Sequence, residues 1–429
     1  MKTKNIYFTV VFNALVPVLL TSCNNAQVNI EDLIVPTFSN DKKITFGAWS
    51  WTVSNLSNNQ LSDLKEADID LLIGTFNDHN DNADSALLDR ASEYGINLIL
   101  DKRPWDGTIP SYANKENFLG YCVFDEPSSA ELPTLQTMKN NWDNSELKDK
   151  MFFVNLNPSY SSHISGSYDQ YVRQYVEDLG LDMVSFDNYA LYHDLYTDEP
   201  ALREDWLYNF SIASYYARKN NVPLWYTLLT TEHNASGLHY INPSAKDMEY
   251  QMYVAMAFGS KYLIHYTYNA TQADHINPIV DKNGNPTDSY FDAKEAGETI
   301  RKWDSVYMNF DNIGVTGIFG KKENTGLLDY LMKDMPINES KALESIQSDY
   351  DVVVGHFEDK SNNKGFVLTN MTNPYDETSA NVKLKFNSNY KGVKIYSQSK
   401  EQVKTLTKGS IELQIDSGSA IFVVPLKTK

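Results

Sequence analysis

Eight short apolar runs separated by stretches of helical composition constrain this chain more than any other feature. The runs span 44–51, 69–76, 96–104, 118–127, 151–160, 182–191, 222–230 and 261–270. Helices are expected between them near 84–94, 129–147, 168–179, 199–220 and 244–258. Apolar strands joined by helices make a parallel sheet, because a parallel crossover needs a long connection. Eight such units are the number that closes a (β/α)8 barrel, the TIM-barrel form of the α/β class. A doubly wound open sheet would need a phosphate-binding glycine loop after its first strand, and residues 47–55 do not form one.

The spacer before the eighth strand is the clearest helix. Ser244 precedes it with Asp247 three residues on, a capping-box pattern. Met248, Met252 and Ala255 follow on one face, Gly259 stops the helix, and the methionine stripe reads as core packing. A last barrel helix is expected over 292–311, which sets the barrel at 42–311. Beyond it, runs at 351–358, 365–372, 380–387, 392–397, 410–416 and 419–426 are short and spaced by Asn, Gly, Ser and Lys. That texture predicts a β-sandwich over 312–429, with a supporting role.

The start of the chain has a different logic. Lys2 and Lys4 precede an apolar run at 6–20, too short and too proline-broken to span a membrane. Leu20-Thr21-Ser22-Cys23 then resembles a bacterial lipobox. That resemblance implies a signal peptide at 1–22, an acylated Cys23 and a polar tether over 23–41. It also implies a lipoprotein of the cell envelope, with the outer membrane as the expected site. No other segment approaches about 18 consecutive apolar residues.

The net charge of −19 disfavours nucleic acid as a partner, since such a surface repels phosphate backbones. Loss of residues 1–22 would remove two lysines and no acid. A neutral ligand such as a carbohydrate is compatible with that surface. Aromatics make up 13% of the chain, enough to line a cleft with flat rings. Nothing in the composition speaks to oligomeric state.

Barrel active sites lie at the carboxyl ends of the strands. Those ends carry Trp49 and Trp51, Asp101 to Trp105, Asp125 and Glu126, Asn155 and Asn157, Asp187 and Tyr189, Glu232 and His233, then His265, Tyr266 and Tyr268. Polar and aromatic residues thus gather at one expected rim. Trp49, Trp51, Trp105, Tyr189, Trp225, Tyr266 and Tyr268 are candidates for walls on which sugar faces stack. Strand alternation predicts that only one of Asp125 and Glu126 enters the barrel mouth. No metal or cofactor is expected. His79, His193, His233 and His265 lack metal-ligand spacing, the acidic loop 77–84 lacks EF-hand order, and no GxSxG, P-loop or dinucleotide motif is present.

Gly120 to Pro127, ending in Asp125-Glu126-Pro127, resembles the fourth-strand motif of the clan A glycoside hydrolases. The stretch Asp281 to Thr287 with Tyr290 resembles the post-barrel segment of β-galactosidase-like members. The resemblance implies that Glu126 is the acid/base and that Asp125 replaces an asparagine which contacts sugar. It implies a nucleophile at the end of strand seven, for which Glu232 is the candidate and Asp187 on strand six the competitor. With Glu232, a carboxyl separation of about 5–5.5 Å and retention are expected; with Asp187, a wider gap and inversion become available. Asp125, Asn157, Trp49, Trp51, Tyr189, Trp225, Tyr266 and Tyr268 are the expected sugar contacts. The rival is a barrel lipoprotein that holds glycan without cutting it.

Overall fold

The computed structural model describes residues 28–429 apart from 53–55, 75–80, 195, 198, 236, 323–324, 332–339 and 377. Cys23 with its lipobox, and loop residues 77–80 with His79, lie outside the described residues. The strands β1 (Thr45–Ser50), β2 (Leu71–Gly74), β3 (Asn97–Asp101), β4 (Phe118–Asp125), β5 (Met151–Leu156), β6 (Val184–Asp187), β7 (Leu224–Leu229) and β8 (Tyr262–Asn269) close into one parallel barrel. Closure is made by β1, which pairs with β2 on one side and β8 on the other.

The alternation of apolar residues within each strand explains the closed form. Leu71, Ile73, Ile99, Cys122, Phe153, Met183, Trp225 and Ile264 fill the interior. Their strand neighbours Leu72, Leu98, Leu100, Tyr121, Val123, Phe152 and Val154 face the helical shell. Period-two strands that are apolar on both faces need cover on both, and only a barrel or a helix-covered sheet supplies it.

Helices occupy Asn58–Glu66, Asp81–Glu93, Leu132–Asp143, Tyr168–Arg173, Trp206–Asn220, Ala245–Ala257 and Asp288–Arg301. The first has no counterpart in the sequence reading; the others overlap the expected segments. Between β3 and β4 the chain crosses through turns rather than a helix. Ser244 caps its helix as expected, its hydroxyl accepting from Asp247 N. Twelve of the thirteen residues of that helix are buried, because it lies between the barrel and the second domain.

That domain begins earlier than expected. The helix meant to reach 311 stops at Arg301, a short turn of helix follows at Asp304–Tyr307, and a strand starts at Phe310. Two antiparallel sheets, of six and three strands, face each other over Val352, Val354, Phe366, Leu368, Val382, Leu384, Leu413 and Ile415. The outer face of the larger sheet packs on the barrel: Val353, Phe357, Val367 and Phe422 join Tyr253, Met256, Trp303 and Tyr307 in one continuous core. The approach is close at Gly355, where a Cβ would stand 2.1 Å from the Ala257 carbonyl oxygen. Gly355→Ala is therefore expected to cost about 2–3 kcal/mol, read as a lower urea midpoint, since backbone on both sides must move.

The expected tether is partly docked. Ile34 N donates to Lys427 O at 2.8 Å, Leu33 is buried, and Phe38 packs on Phe310 at 5.3 Å between ring centroids. Isolated apolar anchors without period give no strand or helix signal, so composition alone reads such a segment as free.

Candidate active site

A cleft of about 690 Å³ opens at the carboxyl ends of the barrel strands. Its floor is made by a local irregularity in β4. Cys122 pairs with Phe153 and Phe124 with Val154, leaving Val123 as an extra residue. Such a bulge reverses the facing of every later residue in the strand. Asp125 is thereby turned inward beside Asn155, its register partner. Glu126 then leaves the strand with φ 51°, a left-handed conformation that costs on the order of 1–2 kcal/mol for a residue with a side chain. The turn is held by Glu126 N donating to Asn155 O at 2.8 Å and by Pro127 O, which accepts from Asn157 Nδ2 at 2.9 Å and Tyr171 Oη at 2.8 Å. Both Asp125 and Glu126 line the cleft, which corrects the expectation that alternation admits only one.

Asp187, at the end of β6, is the third carboxyl of the floor. Asn155 links it to Asp125: its Nδ2 donates to Asp187 Oδ1 at 2.9 Å and lies 3.4 Å from Asp125 Oδ1. Ser185 Oγ donates to Asn155 Oδ1 at 2.9 Å, which fixes the amide's orientation. Arg103 Nη1 donates to Asp125 Oδ2 at 3.1 Å, and its Nε bonds Asp101 at 2.9 Å. Three acids in one cleft cannot all ionise at ordinary cost. Enclosure by the cleft walls and the neighbouring Asp125 charge push Glu126 up to about 7, although its side chain meets the solvent of the open cleft. Burial, with the charges of Glu126 and Asp125, drives Asp187 well above the usual aspartate range. Burial also raises Asp125, against the opposing pull of Arg103.

The walls come from β1, β8 and an added sheet. The loops after β6 and β7 form four short strands, Leu191–His193, Pro200–Leu202, His233–Ala235 and Leu238–Tyr240. Tyr189 stacks on Tyr266 at 5.5 Å, and His233 stacks on His275 at 4.9 Å. Burial lowers His233 to about 4, so it is a neutral ring at physiological pH. Trp51 meets His275 edge-on, and Trp49 Nε1 donates to Thr227 Oγ1 at 3.3 Å.

Of the residues singled out from sequence, Trp49, Trp51, Asp125, Glu126, Asn157, Asp187, Tyr189 and Tyr266 meet in this cleft. Asn157 does so with its amide committed to Pro127 O. Four others lie off it. Glu232 follows β7 by three residues in an extended segment where His233 faces the cleft, so its own side chain points away and accepts from His239 Nε2 at 3.0 Å. Trp225 sits one inward position below Thr227 and stacks on Tyr262 at 4.1 Å inside the barrel. Tyr268 is buried in the core shared by the strands and the helical shell, and Trp105 packs on Trp142 at 5.0 Å. Sequence reasoning passed over Arg103, Asn155, Tyr160, Arg203 and His275 as site residues. The first two were named on the rim but given no role. Tyr160 and Arg203 fall in the run expected over 151–160 and the helix expected over 199–220, and lie after the strand that stops at Leu156 and before the helix that starts at Trp206. His275 comes from a long loop with no periodic signal.

No protein-family model matches the chain, and no curated protein matches it in sequence. Solved structures do. The α-amylase of Geobacillus thermoleovorans, determined with acarbose, is 12% identical over 92% of this chain and 100% of its own, with a TM-score of 0.50. The α-galactosidase I of Mortierella vinacea is 9% identical over 91% and 98%, at 0.48. An Anoxybacillus α-amylase is 11% identical over 87% and 90%, at 0.47. This chain has the TIM-barrel fold found in glycoside hydrolases, followed by antiparallel β-sheets. At these identities the likeness extends to the fold and no further.

Proposed function

We propose that the chain is a glycoside hydrolase in which Glu126 is the general acid/base and Asp187 the second carboxyl. The observation that carries this reading is a carboxyl held near 7 by its surroundings, in a barrel-mouth cleft that contains a second, buried acid. Glycoside cleavage needs one acid that keeps its proton near neutral pH and one carboxylate across the scissile bond. Glu126 protonates the leaving oxygen. With the shared proton on Glu126, Asp187 is the carboxylate that either attacks the anomeric carbon or takes a proton from the water that does so, and the anomeric form of the first product distinguishes the two. Enclosure by the cleft, assisted by the negative charge of Asp125 that Arg103 and Asn155 hold in place, keeps Glu126 protonated. Trp49, Trp51, Tyr189 and Tyr266 offer flat faces to the sugar.

Release of reducing sugar from a panel of glycans and aryl glycosides, aryl β-galactosides included, tests the proposal. Binding without any released sugar would favour a barrel that only holds glycan. The position of Glu232 off the cleft leaves that rival dependent on Asp187 being inert. The lipobox reading adds an acyl anchor at Cys23, checked by mass spectrometry of the mature N-terminus.

The proton on Glu126 sets the pH response. Activity is expected to fall as pH rises through about 7, because the acid form is then lost. Asp125→Asn removes the adjacent negative charge, ionisation becomes easier, and the alkaline limb of kcat/KM should move to lower pH. A limb that stays in place would sink the assigned cause of the Glu126 shift.

A further inference from the structure

We infer that the cleft takes an acidic glycan and that Arg203 binds the carboxylate of a uronic acid unit. This rests on the glycan-cleft reading above, but its test needs no cleavage.

The chain carries 56 Asp and Glu against 37 Lys and Arg, so an average patch of its surface is acidic. The cleft wall departs from that average. Beyond Asp125, Glu126 and Asp187 on the floor, its lining contains no carboxylate among the described residues, and it includes two arginines. The two are not equivalent. Arg103 is engaged by two carboxylates, Asp101 and Asp125. Arg203 has one, Asp205, which accepts from Nε at 2.7 Å and does not itself line the cleft.

The remaining contacts of Arg203 orient it rather than neutralise it. Nη1 donates to Tyr240 Oη at 3.0 Å, and the guanidinium lies over the Tyr160 ring at 3.6 Å. Tyr160 covers one planar face. Of five N–H groups, the Asp205 and Tyr240 bonds use two, and Nη2 has no partner among the described residues. The side chain is only 13% exposed. Its open donors are held toward the cleft, where solvent or an arriving acceptor can take them. A planar carboxylate is the acceptor whose two oxygens match the fork of a fixed guanidinium. Sulfate esters offer related oxygens in a tetrahedral arrangement, so the two are separated in the test.

The test is calorimetric binding to the intact protein. The probes are oligomers of galacturonate, glucuronate and mannuronate, the same oligomers with each carboxyl reduced to an alcohol, and sulfated galactan oligomers. At least one uronate oligomer should bind about 10- to 100-fold more tightly than its carboxyl-reduced partner at low salt. Arg203→Gln should bring the two to parity, with Arg203→Lys retaining part of the preference. Equal or tighter binding of the reduced partners would overturn the inference, as would failure of every uronate to bind. Tighter binding of sulfated oligomers than of any uronate would overturn the carboxylate assignment. If Arg203→Gln fails to fold by circular dichroism, the wild-type comparison of acidic and reduced partners decides alone. Uronate binding without cleavage would defeat the hydrolase proposal and leave this inference standing.

Discussion

Glu126→Gln is expected to lower kcat on a native glycan by about 10² to 10⁴, the usual range for loss of a positioned general acid. The substitution preserves shape and the hydrogen-bonding reach of the side chain while removing the proton that the leaving oxygen needs. Ground-state binding should survive, so KM or a directly measured Kd should change little. The loss should also depend on the leaving group. An aryl glycoside with a dinitrophenolate departs without protonation, and its first bond cleavage should be far less affected than that of a phenyl or sugar leaving group. A uniform loss across leaving groups would remove Glu126 from the acid role. A loss below tenfold on the native glycan would remove it from the chemistry altogether.

Asp187→Asn carries the second large effect, and it has two opposite parts. Turnover should fall by about 100-fold or more, because the charge facing the developing oxocarbenium centre is gone. Stability should rise. The folded-state pKa of Asp187 lies well above the ordinary aspartate value, so the folded protein holds that proton more tightly than the unfolded chain does. Stability contributed at this position is therefore lost as pH rises through the folded pKa. Asparagine is uncharged at all pH values and keeps an oxygen for Asn155 Nδ2, the existing 2.9 Å partner. We expect a gain on the order of 1 kcal/mol, about 2 °C or more in Tm at pH 7–8, shrinking as pH falls and gone only below about pH 3, where aspartate is protonated in either state. Thermal unfolding across that pH range measures it. An Asp187→Asn protein that is both active and no more stable would mean that this acid is neither catalytic nor strained.

The off-cleft position of Glu232 shows that counting along a strand does not fix which side chain meets the cleft. Counting along the sequence puts an acid just past β7. Whether it faces the sugar depends on the path of three residues after the strand, where His233 and not Glu232 turns to the cleft. Trp225 and Tyr268 show the same limit within strands. Each sits near a strand end, yet one points to the barrel interior below the cleft and the other to the helical shell.

The barrel itself was legible because its cause is local and repeated. Eight apolar strands with helical spacers have few ways to bury both faces, and the period of two in each strand assigns interior and shell without reference to distant residues. The Ser244 cap, the sandwich strands and the Asp125-Glu126 turn are likewise written in short stretches of chain. The arrangement of the cleft is different in kind. The β4 bulge that turns Asp125 inward, the Asn155 bridge to Asp187 across two strands, and the loop residues Tyr160, Arg203 and His275 that form the walls join residues tens of positions apart. Their relation is a matter of register and loop path, set by the free energy of packing the whole barrel, so only the tertiary structure decides it.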